Sequence, residues 1–127
     1  MSRVSINEPN IKLLFSNTVL FIDFKEIKRV EGSVNYSIIH TQEGSKYLSS
    51  KTLKQMQNLL TKAKFIRIHK RHIINTNFVK RILTKGGKCF VELINGELIE
   101  ASRRMKKNAS LKILPQIQLK KIKDFVA

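Results

Sequence analysis

Residues 65–79 read FIRIHKRHIINTNFV and hold two of the chain's three histidines, His69 and His72, among Arg67, Lys70 and Arg71, with no acid nearby. Such residues suit a metal site, an acid/base pair, or a surface that meets negative charge. A zinc site needs three or four Cys or His ligands on one ion, and the candidates are His40, His69, His72 and Cys89. In one continuous strand, positions three apart point to opposite faces, and Lys70 and Arg71 between them repel a cation. An acid/base pair for phosphodiester cleavage, as in a small basic ribonuclease, would use His69 and His72 with Lys or Arg. That chemistry lacks a carboxylate in the same stretch to orient an imidazole, and strand geometry again splits the pair. Phosphate and base contact by Arg, Lys, His and Asn is the remaining chemistry, and it suits duplex DNA.

Charge points the same way. Lys and Arg number 25 against 9 Asp and Glu, a formal charge of +16 and a pI near 10.4. Such self-repulsion is relieved by a polyanion, which puts nucleic acid first among partner classes and anionic membrane second. Between Glu43 and Glu92 every charged residue is a cation, and after Glu100 only Asp124 opposes a second basic tract. The 127 residues have room for one domain, with 42% hydrophobic composition to fill its core. Cys89, the single cysteine, forms no internal disulfide and reads as a buried, inert thiol in a reducing compartment. No run approaches the roughly 18 to 20 apolar residues of a membrane span, and MSRVSINEPN has no signal-peptide core, so a cytoplasmic protein is expected. GGKC lacks Walker spacing, and most phenylalanines sit in apolar alternation as core rather than as a stacking surface for single-stranded RNA. No cofactor and no metal is expected.

Short β-branched runs must position these residues: 11–15, 19–23, 27–31, 36–41, 65–69, 78–83, 88–93 and 97–101. SNT, EGSVN, QEGS, KGGK and Asn95-Gly96 separate them, the last two as the best hairpin turns. Strand, tight turn and strand repeated so often predicts antiparallel sheets, since parallel strands need long crossovers. One helix is predicted in SSKTLKQMQNLLTKAK, with Ser49 or Ser50 as N-cap and Leu53, Met56, Leu59 and Leu60 at helical spacing. A second helix is expected from near Ser102, ending or kinking at Pro115, and the apolar positions of 116–127 suit a short docking helix or strand.

The run Phe65-Ile66-Arg67-Ile68-His69-Lys70, then Ile73-Ile74-Asn75 and Phe78-Val79-Lys80-Arg81-Ile82, resembles the signature F-x-R-x-H-(R/K)-S-(Y/F)-I-V-N of the LytTR domain, a DNA-binding output module of bacterial transcription regulators. Three further pieces agree in order: IKRVEGSVNY (27–36) resembles I-x-x-(I/V)-E-(A/S)-x-x-x-Y, Leu53-Lys54 opens the preceding helix, and Asn95-Gly96 with Ala101-Ser102-Arg103-Arg104 resembles the closing N-G…(V/A)-S-R-R element.

The resemblance covers roughly residues 15–107 and implies a mainly β fold, an elongated sandwich of short antiparallel β-sheets with one or two short α-helices. Residues 1–14 are then an N-terminal extension and 108–127 a basic C-terminal one. It also implies that loops enter two successive major grooves. Asn35 and Tyr36 would enter one and Arg104 the other, with Lys70 over the middle and His69 on the same DNA-facing side. Ser50 and Lys51, at the helix start, would take phosphate beside exposed N–H groups, and Arg71 and Arg103 are additional phosphate contacts. Two residues depart from the pattern: Arg71 replaces a small Ser, and His72 stands where Tyr or Phe is common, to pack as a neutral, hydrogen-bonded ring. Arg67 is open to an ion pair with Glu31 or Glu92, His40 reads as a satisfied strand residue, and Asn75 as a turn-capping one. Relatives usually carry a receiver domain or a membrane segment, so the chain reads as a fragment or a stand-alone regulator. The expected function is sequence-specific double-stranded DNA binding in bacterial transcription regulation, without catalysis. Partners beyond DNA would be a second copy, on repeated half-sites, or a separate regulatory protein. The alternative is a small basic RNA-binding protein or ribonuclease using His69 and His72.

Overall fold

Short strands, most of them joined by turns of two to four residues, set the architecture of this computed structural model, which describes residues 10–15, 17–60 and 64–102. Strands β1 (Asn10–Phe15) and β2 (Thr18–Asp23) form a two-stranded sheet. Strands β3 (Ile27–Gly32), β4 (Ser37–Thr41), β5 (Lys46–Ser49), β6 (Phe65–His69) and β7 (His72–Asn75) form a five-stranded sheet in the order β5-β4-β3-β7-β6. Strands β8 (Val79–Lys85), β9 (Lys88–Leu93) and β10 (Leu98–Ala101) form a third, in the order β10-β9-β8. All pairings are antiparallel. Helix α1 (Leu53–Leu59) joins β5 to the β6 hairpin.

The five-stranded sheet is the middle layer, because both of its faces are apolar near β7. Adjacent residues Ile73 and Ile74 point to opposite sides, as strand alternation requires. Ile73 joins Ile11, Ile22, Val30, Ile39, Leu53 and Met56 under β1, β2 and α1. Ile74 joins Ile66, Ile68, Val91, Leu93 and Ile99 against the three-stranded sheet, where Cys89 is also buried. Phe24 and Phe65 close the first core edge to face, centroids 6.0 Å apart.

All eight expected strands are present, those at 65–69 and 88–93 with the expected ends and the others with ends shifted by one or two residues, and two more appear. β5 is a four-residue strand directly before the helix segment, and β7 follows a Lys70-Arg71 turn that carries none of the usual turn residues. Gly86 and Gly87, by contrast, sit at φ 59° and 78°, as a two-residue hairpin turn demands. The helix cap also differs from expectation. Ser49 is taken up in β5, where it pairs with Ser37, and Ser50 is exposed. Thr52 is the N-cap: its hydroxyl accepts from the Gln55 N–H, and the Gln55 side chain accepts from the Thr52 N–H, a reciprocal capping box. The expected second helix and the segment 108–127 lie outside the described residues.

Candidate nucleic-acid interface

Three segments meet at one end of the five-stranded sheet. The first is the Ser33–Tyr36 loop, closed by a Ser33 N–H to Tyr36 carbonyl bond of 2.8 Å. Its tip is open to solvent: Val34 is 87% exposed, Tyr36 is 42% exposed and Asn35 is exposed between them. The second is the Lys70-Arg71 turn, with both residues exposed. The third is the stretch Ser50–Lys54, tied to the β3–β4 hairpin by the Ser37 hydroxyl, which donates to the Lys51 carbonyl at 2.8 Å.

The turn is held by its own neighbours. Arg67 donates through Nη2 to the Lys70 carbonyl at 2.7 Å and through Nε to that of His69 at 3.3 Å, and Nη1 donates to Gln57 of α1. The Arg71 N–H donates to His69 Nδ1 at 3.1 Å. Arg67 is therefore a clamp on turn carbonyls rather than a partner of Glu31 or Glu92. These segments enclose a cleft of about 550 Å³ lined by Gly32, Ser33, Val34 and Thr52–Lys54, with Arg67, Lys70 and Arg71, and no acid lines it. Among the described residues, Lys51, Lys54, Lys70 and Arg71 make no ion pair. Cations gathered without counter-charge on a concave edge attract a polyanion.

The model of the LytTr DNA-binding domain family matches residues 17–113. The chain belongs to the LytTR family. A solved LytTr DNA-binding domain from Bacillus cereus, of a protein described as a methyl-accepting/DNA response regulator, superposes with TM-score 0.71 at 19% identity, over 84% of this chain and 98% of that one. The heme-containing CO-sensing transcriptional regulator RcoM 1 of Paraburkholderia xenovorans (strain LB400) is 28% identical over 67 residues, 53% of this chain and 25% of the relative. The chain thus matches about a quarter of that regulator's length.

In this LytTR domain the residues expected from sequence are partly gathered. Asn35, Tyr36, Ser50, Lys51, Lys70 and Arg71 lie on the three converging segments, and His69 is half-buried beneath the turn. Arg103 and Arg104 lie outside the described residues. Val34 and Lys54, not singled out as contacts from sequence, also line the cleft. An exposed β-branched residue inside a Gly-Ser-Val-Asn turn was the available signal for Val34.

Two expectations are overturned. Open N–H groups at the helix start do not adjoin Ser50 and Lys51, because the helix begins at Leu53 and the capping box engages the Thr52 and Gln55 N–H groups. The Lys51 N–H is itself engaged by the Ser49 hydroxyl at 3.2 Å. Beyond the N–H groups so engaged, this segment offers an anion the side chains of Lys51 and Lys54.

His69 and His72 are also not split onto opposite faces. The chain reverses at Lys70-Arg71, so they pair across strands with ring centroids 5.2 Å apart, and a register shift between Arg67 and His69 helps align them. Burial, then the charges of His69 and Arg29, push His72 down to about 4, so it is neutral at pH 7. Its Nδ1 is buried without a hydrogen-bond partner among the described residues, so the bond expected for this ring is not made there. Glu31, opposite His72 in register, is engaged elsewhere: it accepts from His40 Nε2 at 3.1 Å and lies 3.6 Å from Arg29. His40 is thus satisfied, and Asn75 caps its own turn through the Asn77 N–H while donating to the Ile27 carbonyl. Among the described residues no cluster of three or more His, Cys, Asp or Glu could hold a metal ion.

Acids are used for internal work on the opposite side of the sheet. Glu97, on the β9–β10 loop, meets Lys28 at 2.6 Å and Arg29 at 3.0 Å, and accepts from Asn95 at 2.7 Å. Burial alone would raise its pKa, but the Lys28 and Asn95 hydrogen bonds and the Arg29 charge outweigh it and hold the carboxyl at about 2. Arg81 pairs with Glu92 across β8 and β9.

Proposed function

We propose that this LytTR domain binds double-stranded DNA sequence-specifically in bacterial transcription regulation, and does so without catalysis. The observation that carries the reading is the acid-free cleft where the Ser33–Tyr36 loop, the Lys70-Arg71 turn and Ser50–Lys54 meet. Asn35 and Tyr36, with Val34 beside them, enter one major groove and read base edges, Val34 by apolar contact of the kind a thymine methyl offers. Arg104 enters the next groove, and Lys70, with His69 beneath it, lies over the minor groove between. Ser50, Lys51, Arg71 and Arg103 take phosphates, which position the protein and make affinity salt-dependent.

DNA-binding function is assigned to residues 15–107, with 108–127 a basic extension, acting in the cytoplasm. Two copies on repeated half-sites, or a homodimer, and a separate regulatory protein complete the set of partners. The fold supports the reading by leaving Lys51, Lys54, Lys70 and Arg71 without an ion pair among the described residues, while internal acids neutralise Lys28 and Arg29. Competition among a random duplex, RNA and anionic vesicles tests the partner class, with duplex DNA expected to compete best. Incubation with RNA tests the ribonuclease alternative: cleavage abolished by His72→Ala would overturn the non-catalytic reading.

A further inference from the structure

The Ser33–Tyr36 loop and the Lys70-Arg71 turn belong to different hairpins, and the residue pair that joins them at their roots is the last of the β3–β7 ladder. Strands β3 and β7 run in register as Arg29↔Ile74, Val30↔Ile73 and Glu31↔His72, so the next pair is Gly32 with Arg71. The Gly32 N–H donates to the Arg71 carbonyl at 2.7 Å, which marks this as a hydrogen-bonded pair of the ladder. In such a pair the second backbone N–H returns a bond to the first carbonyl. Here it cannot, because the Arg71 N–H is turned to His69 Nδ1 to close the hairpin. The Arg71 guanidinium supplies the missing bond instead, Nε donating to the Gly32 carbonyl at 3.3 Å. On the other side Gly32 is backed by α1: a Cβ there would stand 3.1 Å from Leu53 Cβ and Cδ2. The root of the exposed loop is therefore gripped between Leu53 and Arg71.

We propose that Arg71 is a positioning residue, whose guanidinium sets the Ser33–Tyr36 loop against the Lys70 turn and so fixes the choice of DNA site. This assignment rests on the DNA-binding reading above and replaces a simple phosphate contact as the main role of Arg71. A lysine keeps the charge but has no Nε–H at that place in the side chain, so charge and positioning separate in one substitution.

The test has two arms. In the free domain, amide exchange at Ser33 and Tyr36 is compared between wild type and Arg71→Lys, with Ile73 and Ile74 as core references. Faster exchange in the loop with an unchanged core is expected, and unchanged loop exchange overturns the proposal with no reference to DNA. In the second arm, binding to a selected duplex and to a random duplex is measured over a salt series. Arg71→Lys is expected to narrow the specific-to-random ratio about tenfold, the scale of one lost hydrogen bond to a charged group, with the salt slope unchanged. An unchanged ratio in Arg71→Lys, with Arg71→Ala losing affinity equally on both duplexes and about one unit of salt slope, would show a phosphate contact and overturn the proposal. No preference by the wild type itself would instead remove the DNA-reading premise, and the positioning role with it.

Discussion

Replacing Glu97 by glutamine separates what the acids do from what the cations do. Glu97 is bonded to Lys28 and Arg29, whose side chains are only 12% and 11% exposed, so the substitution leaves two partly buried cations short of their counter-charge. Its carboxyl is held from 4.5 down to about 2 by those partners. At about 1.4 kcal/mol per pKa unit the shift is worth at most about 3.5 kcal/mol. The side chain is 31% exposed, and screening by water and salt reduces the figure to about 1 to 2 kcal/mol. For a domain of this size that lowers Tm by about 5 to 15 °C.

A depressed carboxyl contributes stability above its unfolded pKa and loses it as pH falls toward the folded one. Urea melts of wild type and Glu97→Gln should therefore differ fully at pH 7 and converge between pH 4.5 and about 2. DNA affinity of the folded Glu97→Gln protein should not fall, because Glu97 does not line the basic cleft. Equal stability at pH 7, or a gap that persists unchanged into acid, would refute the reasoning.

Three further outcomes are expected. The unfolded imidazole of His72 takes a proton near 6.5 and the folded one only near about 4. The unfolded chain therefore binds more protons in that window, and acid destabilises the fold there, by about 1 to 2 kcal/mol after screening of a half-buried ring; His72→Phe should flatten this part of the pH–stability curve. Lys51→Ala should weaken all duplexes alike and lower the salt slope by about one, as read by a salt titration on random DNA. Arg104→Ala should cost about 1 to 3 kcal/mol on the specific site and relax preference there, and equal losses on specific and random duplexes would count against base readout.

Strands were legible where β-branched runs ended at Gly or Asn, and α1 where Leu53, Met56 and Leu60 recurred at helical spacing. The Lys70-Arg71 turn was not, because two long cations carry no turn preference of their own. That one omission left β7 unforeseen and, by taking His69 and His72 as if along one strand, wrongly set them on opposite faces. The helix start was misread for a similar reason: three hydroxyl residues stand in a row at Ser49, Ser50 and Thr52 around Lys51, and only Thr52 has Gln55 three positions on. Asn35, Tyr36, Lys70 and Arg71 were legible as candidates through the family motif. What Arg67 and Arg71 bond to was not, since Arg71 meets Gly32 across 39 positions of sequence and the acceptors are backbone carbonyls, which no side-chain pattern announces.

The central claim, that this basic edge reads DNA sequence, is tested most directly by selecting bound duplexes from a random pool with the purified domain. The account predicts enrichment of a defined motif whose two contacted stretches lie on successive major grooves. A pool that returns no motif, with binding set by salt alone, would contradict it.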